Sequence, residues 1–352
     1  MVIALKEETN LITPKKSWND LKFHYLSVIE DPWYKSVMDL QHLISYYTYM
    51  FYEQRNLKTL HLPITTSSIS SPMGLGSDST PVKVNICDVD TYLADSMQFM
   101  LEYGCRIYEE GCFYIMPSFR GEVADERHLC QFYHSEAEII GGLDDVIALI
   151  EDYVKYLCEK LIESYEEKLL KVAGTVEHIR EILAVVDGFP RITLQEAIKL
   201  LDKKYSNSLK PLYIKHPEGF TILTNYGEKK LIELFGGIVW VTHFEHLSLP
   251  FYQAFSDKEQ KYALNADLLF GIGEVIGAGE RHKDYEKVKK ALKIHQVEEQ
   301  EYEWYCNMKK KYPMQTAGFG MGVERFILWI LQHDDIRDCQ VLPRFNGINC
   351  LP

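Results

Sequence analysis

The sequence predicts a mixed α/β (α+β) fold, a strand-rich core interrupted by a long helical stretch. Three observations carry that expectation. Apolar residues recur at helical spacing over residues 34–56 and again over 143–172. Strand-like runs recur at 82–86, 112–116, 132–140, 219–223 and 237–242. Between those sets, Thr193-Leu194-Gln195-Glu196 has the spacing of a capping box and should open a helix through Leu201.

In chain order, Val37, Leu40, Leu43, Ile44, Tyr47, Tyr49 and Phe51 define a long first helix, and Leu60-His61-Leu62-Pro63 reads as a short strand after it. Residues 65–79 are rich in Ser, Gly and Pro and predict a loop. A helix around residues 94–103 separates the strands at 82–86 and 112–116. The stretch 143–172 places Ile147, Ile150, Val154, Leu157, Leu161 and Ile162 on one face, the stripe of a helix lying on a core. Residues 141–210 therefore read as a helical insertion. The last third mixes strands with two helices, at about 284–308 and 323–332. No internal repeat or low-complexity tract is visible.

Composition narrows the class. The chain has 352 residues, 46% hydrophobic and 25% charged, as expected of a globular protein with a substantial core. Its 38 basic and 51 acidic residues give a net charge of −13, which weakens a large phosphate-binding surface as a hypothesis. The eight cysteines lack the close pairs of zinc or redox motifs, so a reduced, cytoplasmic chain is expected. No apolar run approaches membrane-spanning length, and no membrane partner is expected.

Two separated arginine motifs hold most of the chemical information: Phe119-Arg120-Gly121-Glu122, continuing to Arg127-His128-Leu129 and Phe132, and Gly318-Phe319-Gly320-Met321-Gly322-Val323-Glu324-Arg325. Guanidinium groups stay charged and offer a rigid fork of donors that fits phosphate and carboxylate oxygens. Two such forks, each beside a carboxylate, suggest a grip on a polyphosphate from both ends. Glycines before Arg325 would let backbone approach a ligand. Taken alone, glycines before a helix are more often a packing or capping device.

Together with the helix and strand ending at Pro63, the order and spacing of these motifs resemble the catalytic domain of class II aminoacyl-tRNA synthetases. Leu93-Ala94-Asp95-Ser96-Met97-Gln98 is similar to the amino-acid-binding segment of the aspartyl and asparaginyl enzymes. Phe189-Pro190-Arg191-Ile192-Thr193 with Glu196-Ala197-Ile198 resembles the asparaginyl insertion. Val241-Thr242, Phe251-Tyr252 and the run from Ala266-Asp267 through Gly271-Ile272-Gly273-Glu274 to Gly277 are closer still to the asparaginyl enzymes. The resemblance implies an antiparallel sheet flanked by helices, with an extension at 1–32, a catalytic domain at 33–352 and an insertion at 143–210. It also implies a homodimer.

Those synthetases carry an N-terminal β-barrel for the tRNA anticodon, and about thirty residues precede the first motif here. The chain thus also resembles archaeal asparagine synthetase-related proteins, paralogues that amidate aspartate. Both relatives imply ATP and Mg²⁺. In both, a carboxylate, already ionised at neutral pH, attacks the α-phosphate. The resemblance implies Arg120 bridging substrate carboxylate and α-phosphate, and Arg325 on the γ-phosphate. Glu122, Arg127, His128 and Gly322 complete the ATP site and Phe132 stacks on adenine. Asp267 and Glu274 would hold the metal, as hard oxygen donors beside triphosphate. Ser96, Gln98, Glu102 and Arg281 would hold the amino acid. Glu102, preceded by Leu101 where the aspartyl enzymes place a lysine, suits a substrate amide and would repel a carboxylate.

Three departures separate this chain from the asparaginyl pattern. Met73 stands where a glutamate would bind the substrate ammonium, Leu249 stands before Pro250 where a lysine is expected, and one residue fewer than in that pattern separates Asp267 from Glu274. The expected reaction is therefore AMP-forming activation of aspartate, asparagine or an analogue, with acyl transfer to a small nucleophile such as ammonia. Aminoacylation of tRNA is the alternative, with tRNA a partner that the acidic balance does not favour, and a non-catalytic nucleotide or amino-acid sensor is a third reading.

Overall fold

The computed structural model describes residues 11–70 and 80–351. Met73 and most of the predicted 65–79 loop lie outside the described residues. Strands and helices, in chain order, are α1 (His24–Glu30), α2 (Pro32–Glu53), β1 (Lys58–Thr59), β2 (Thr65–Thr66), β3 (Val82–Ile86), β4 (Val89–Leu93), α3 (Gln98–Cys105), β5 (Cys112–Phe119) and β6 (Gln131–Ile140). The middle of the chain gives α4 (Leu143–Ala173), α5 (Glu177–Leu183), β7 (Arg191–Thr193), α6 (Leu194–Lys204), β8 (Tyr213–Lys215), β9 (Thr221–Leu223) and α7 (Asn225–Leu234). It closes with β10 (Ile238–Thr242), β11 (Asn265–Phe270), β12 (Gly273–Glu280), α8 (Tyr285–His295), α9 (Glu303–Lys311), β13 (Thr316–Gly322) and α10 (Val323–Ile330).

Local chemistry sets the main helix boundaries. Asp31 caps α2 by accepting from Trp33 N at 3.0 Å, and Pro32 occupies the first helical position, where no N–H is needed. Thr193 and Glu196 form the expected capping box on α6. Helix α4 ends at Gly174, whose φ of 75° suits a residue without a Cβ.

An eight-stranded sheet runs β1-β5-β6-β13-β12-β11-β10-β7, antiparallel except at its two ends, where β1 pairs with β5 and β7 with β10 in parallel. Helices α2 and α4 pack on one face, their apolar stripes sharing one core with Phe319, Ile276 and Leu268 of the sheet. Thr48 Oγ1 and Tyr153 OH are 2.6 Å apart, joining α2 to α4 inside that core. Residues before α2 dock on the C-terminal segment, where Trp18 donates to Asp338 at 2.6 Å and His24 meets the Val341 carbonyl at 2.9 Å.

Two expectations fail. Residues 60–63 are not a strand, because the parallel pairing with β5 occurs one step earlier, at Lys58 and Thr59. The helix expected over 284–308 is broken, because Gln296 adopts φ 57° and closes α8 with a left-handed cap before α9 begins.

A cluster of buried histidines lies beside the sheet. His246 Nδ1 is 2.8 Å from His295 Nε2, and its Nε2 is 2.7 Å from the Gln253 carbonyl. Burial lowers His246 from 6.5 to about 4, so folding favours its neutral form. Its contribution is complete above pH 6.5 and is lost as pH falls through about 4, to roughly 3 kcal/mol at the limit. Urea unfolding compared at about pH 7 and about pH 5 should show lower stability in acid, with a shallower slope in His246→Gln. An identical slope in the variant would remove His246 as the cause.

Candidate active site

On the other face of the sheet the register builds a trough. One cross-strand row reads Asp267, Gly277, Gly320, Glu136, Tyr114, and the next reads Asn265, Gly279, Gly318, Glu138, Cys112. Side chains alternate faces along a strand, so the four glycines empty the middle of one face while carboxylates flank it. The emptiness is needed. A Cβ on Gly318 would run into Glu138, one on Gly279 into Gln253, and one on Gly277 would stand 2.9 Å from Glu274 Oε1.

Two cavities lie along this trough. The larger, of about 410 Å³, is lined among others by Asp95, Ser96, Gln98, Tyr252, Gln253 and Arg281. The smaller, of about 260 Å³, is lined by Glu122, Arg127, His128, Phe132, Gly322 and Arg325. Arg120, His134, Glu274 and Gly320 line both. Every residue assigned to ATP from sequence borders the smaller cavity. Arg120 Nε, Glu122 Oε2 and Arg127 Nε are buried with no hydrogen-bond partner among the described residues, as a site built for a polar ligand would leave them.

Local structure holds these groups. The Arg120 N–H donates to the Cys130 carbonyl at 3.0 Å, and its guanidinium lies 5.6 Å from the Phe132 ring centroid. Arg325, in the first turn of α10, donates to the Glu274 carbonyl at 2.7 Å and stands 3.9 Å from its carboxylate. Arg127 pairs with Glu228 at 3.0 Å, bringing helix α7 over the junction of the cavities.

On the β11–β12 hairpin Asp267 pairs with Gly277 and Glu274 with Leu269, and both carboxylates lie near Gly277. Burial, then the neighbouring charges of Glu274 and Glu228, push the Asp267 carboxyl well above its ordinary range. A divalent cation would relieve that repulsion, and oxygen donors of this kind fit Mg²⁺. Among the described residues no three His, Cys, Asp or Glu converge to hold a metal unaided. Phosphate oxygens and water would therefore complete the shell.

At the far end of the larger cavity, Arg281 is buried and bonded to both carboxylate oxygens of Glu138 at 3.1–3.3 Å, with Nη1 3.3 Å from Gln253 Oε1. Burial raises Glu138 to about 7 against the pull of Arg281. Glu136 receives Ser96 Oγ at 2.6 Å, Tyr114 OH at 2.5 Å and His134 Nδ1 at 3.0 Å. Burial works to raise its carboxyl, but these donors outweigh burial and hold it below its ordinary range.

Glu102 is placed differently from the sequence expectation. It lies behind the wall, fully buried, and is bound by Lys309 Nζ, Gln98 Nε2 and, at 2.9 Å, Tyr305 OH. Its contact with the cavity is indirect, through Gln98. The sequence reading also passed over Glu136 and Glu138. Their signal was the alternation His134-x-Glu136-x-Glu138 on a strand, which puts all three on one face.

An antiparallel sheet whose glycine floor joins two cavities at a single arginine, with a second arginine at the head of a helix, is the core of a class II synthetase. Residues 17–346 match the family model described as tRNA synthetases class II (D, K and N), and the chain belongs to that family. It is 30% identical over 271 residues to "Asparagine--tRNA ligase" of Thermoplasma acidophilum, a match spanning 76% of this chain and 60% of that relative. Its fold is that of the Pyrococcus horikoshii asparaginyl-tRNA synthetase complexed with asparaginyl-adenylate, with TM-score 0.82 and 24% identity over 93% of this chain and 72% of that one. The Entamoeba histolytica asparaginyl-tRNA synthetase, also with asparaginyl-adenylate, gives 0.80 and 22% over 97% and 74%. No helix among the described residues is long and apolar enough to cross a membrane.

Proposed function

We propose that this chain activates the α-carboxylate of asparagine with ATP, releases pyrophosphate, and transfers the acyl group from AMP to the 3′ end of a tRNA. The observation that supports this most is Arg120, which borders at once the cavity lined by the amino-acid candidates and the cavity lined by the ATP candidates. A carboxylate oxygen in one would meet the α-phosphorus in the other. The new C–O–P linkage forms as the bond to pyrophosphate breaks, and no base is required because the nucleophile is already ionised. Arg120 offsets charge at the reacting phosphate and Arg325 holds the far end of the triphosphate. Mg²⁺ at Asp267 and Glu274 would neutralise the phosphate charge. His128, Glu122 and Phe132 orient the nucleotide.

Charge favours a carboxamide over a carboxylate side chain. At the far end Arg281 is already paired with Glu138, and behind the wall Lys309 is already paired with Glu102, so no cation is left over for a substrate carboxylate among the described residues there. An aspartate side chain would add a further negative charge, whereas an amide adds none and can donate and accept. The expected small-nucleophile acceptor gives way to tRNA because the sequence match is to an enzyme named for that acceptor. A homodimer belongs to the same proposal, and Met38, Tyr46 and Tyr49, exposed on α2, suit that contact.

The test is ATP–pyrophosphate exchange with asparagine or aspartate, followed by AMP release with tRNA or ammonia added. Exchange with asparagine and tRNA-dependent AMP release are expected. Exchange with aspartate alone, or release driven by ammonia and not tRNA, would overturn this assignment.

A further inference from the structure

The acidic balance of the chain is not uniform. From α6 to α7, residues 194–234 carry seven lysines, and four of the five acids in that stretch are already engaged. Glu196 closes the capping box of α6, Asp202 receives Tyr213 OH at 3.1 Å, Glu228 holds Arg127, and Glu233 pairs with Lys230. The other six lysines, at 199, 203, 204, 210, 215 and 229, are exposed and form no ion pair with another described residue. Positive charges gathered on one small unit repel one another, and a polyanion laid across them removes that repulsion as it sheds its own counterions.

Packing and position identify which polyanion. Leu201, Leu212, Leu223 and Leu231 form a small core anchored on Val241 and Leu269 of the sheet, so α6, β8, β9 and α7 present one firm surface. Rings lie among its charges. Lys210 Nζ is 5.6 Å from the Tyr226 centroid, and Lys230 Nζ is 5.5 Å from Tyr226 and 5.6 Å from Tyr205. Ammonium groups interleaved with half-buried aromatic rings suit a nucleic-acid strand, which brings both repeating phosphates and bases that stack. The surface also begins at a cavity. Thr221, Ile222, Leu223 and Glu228 border the larger one. Lys215 pairs with Thr221 across the β8–β9 ribbon, and Lys229 follows Glu228 in the chain. A strand lying on these lysines therefore ends at the lip of the cavity in which the acyl group would be activated.

We infer that the unit α6–β8–β9–α7 is a docking surface for the phosphodiester backbone of an RNA, with Lys210, Lys215 and Lys229 leading its 3′ end to the lip of the larger cavity. The inference rests on the acyl-transfer reading above and adds the place where the acceptor lies.

The experiment titrates unfractionated tRNA onto the full chain between about 50 and 200 mM salt, with vesicles of phosphatidylserine and phosphatidylcholine as a second anionic probe. Wild type should bind the tRNA and not the vesicles. The triple variant Lys210→Ala, Lys215→Ala, Lys229→Ala should bind tRNA at least about 30-fold more weakly at about 100 mM salt, and its slope of log affinity against log salt should flatten by about 3. A matched triple on α8, Lys287→Ala, Lys289→Ala, Lys290→Ala, removes the same charge and should shift the affinity less than about threefold. Asparagine-dependent pyrophosphate exchange should stay within about twofold of wild type in both, because none of these six lysines borders either cavity. Equal losses in the two triples would reduce the effect to net charge and overturn the inference. So would an unchanged affinity in the first triple, no tRNA binding by wild type, or vesicle binding in place of tRNA. If the first triple fails to fold, Lys215→Glu and Lys229→Glu singly must each weaken tRNA binding at least about tenfold, and smaller losses overturn the inference. Exchange tests the underlying reading separately. Wild type that exchanges no pyrophosphate yet binds tRNA through these lysines keeps the surface and loses the adenylation reading, whereas exchange with lysine-independent tRNA binding does the reverse.

Discussion

Arg120→Ala should lower kcat/KM for pyrophosphate exchange by at least about 1000-fold with little change in melting temperature. The size follows from its position at the junction of the two cavities, where charge on the α-phosphate must be met in a site shielded from water. The small stability cost follows from the buried Nε, which has no hydrogen-bond partner among the described residues to lose. Arg120→Lys should recover little, because an ammonium is a single point of charge and cannot present two parallel donors. The loss should appear in kcat more than in the KM for ATP, since on the proposed reading Arg325 still holds the far end of the triphosphate. A drop of less than about tenfold would take Arg120 out of the chemistry.

Lys309→Met should cost about 3–5 kcal/mol of folding stability, the largest effect expected from a residue outside the cavities. Lys309 is fully buried, with Nζ on the Glu102 carboxylate and 2.6 Å from the His282 carbonyl. Burial lowers its pKa while Glu102 opposes the shift. Removing the cation leaves a carboxylate sealed beneath Gln98 with no charge partner. The double variant Lys309→Met with Glu102→Gln should regain much of the loss, because it removes both charges together. Chemical denaturation of the three variants checks this, and an additive double variant would show that the two side chains are not coupled.

Sequence revealed the elements whose cause is local. The α6 capping box, the α2 stripe and the runs bearing Arg120 and Arg325 are each written in a few consecutive residues. Strand β4 escaped notice because its turn is made by Cys87 and Asp88 at φ 52° and 63°, without the Asn-Gly or Asp-Gly pair that marks such hairpins. Placing Glu102 required knowing that Lys309, over two hundred positions away, packs behind it. Glu136 and Glu138 were visible as alternating acids on a strand, but their role depends on register across four further strands. No spacing within one segment encodes that register.

The glycine rows have a consequence for how this chain can vary. Gly277, Gly279, Gly318 and Gly320 form a two-by-two block in space from two stretches of sequence some forty positions apart. A methyl group at three of them would collide with or crowd the very side chains that rim the cavity, and at Gly320 it would sit 3.2 Å from Glu136 Oε1. The strictest positions are therefore ones that do no chemistry and touch no proton. The rim can exchange one reader for another while the bare main chain below stays the same. In this molecule the shape of the substrate is recorded as missing atoms, and its identity as the few side chains set around them.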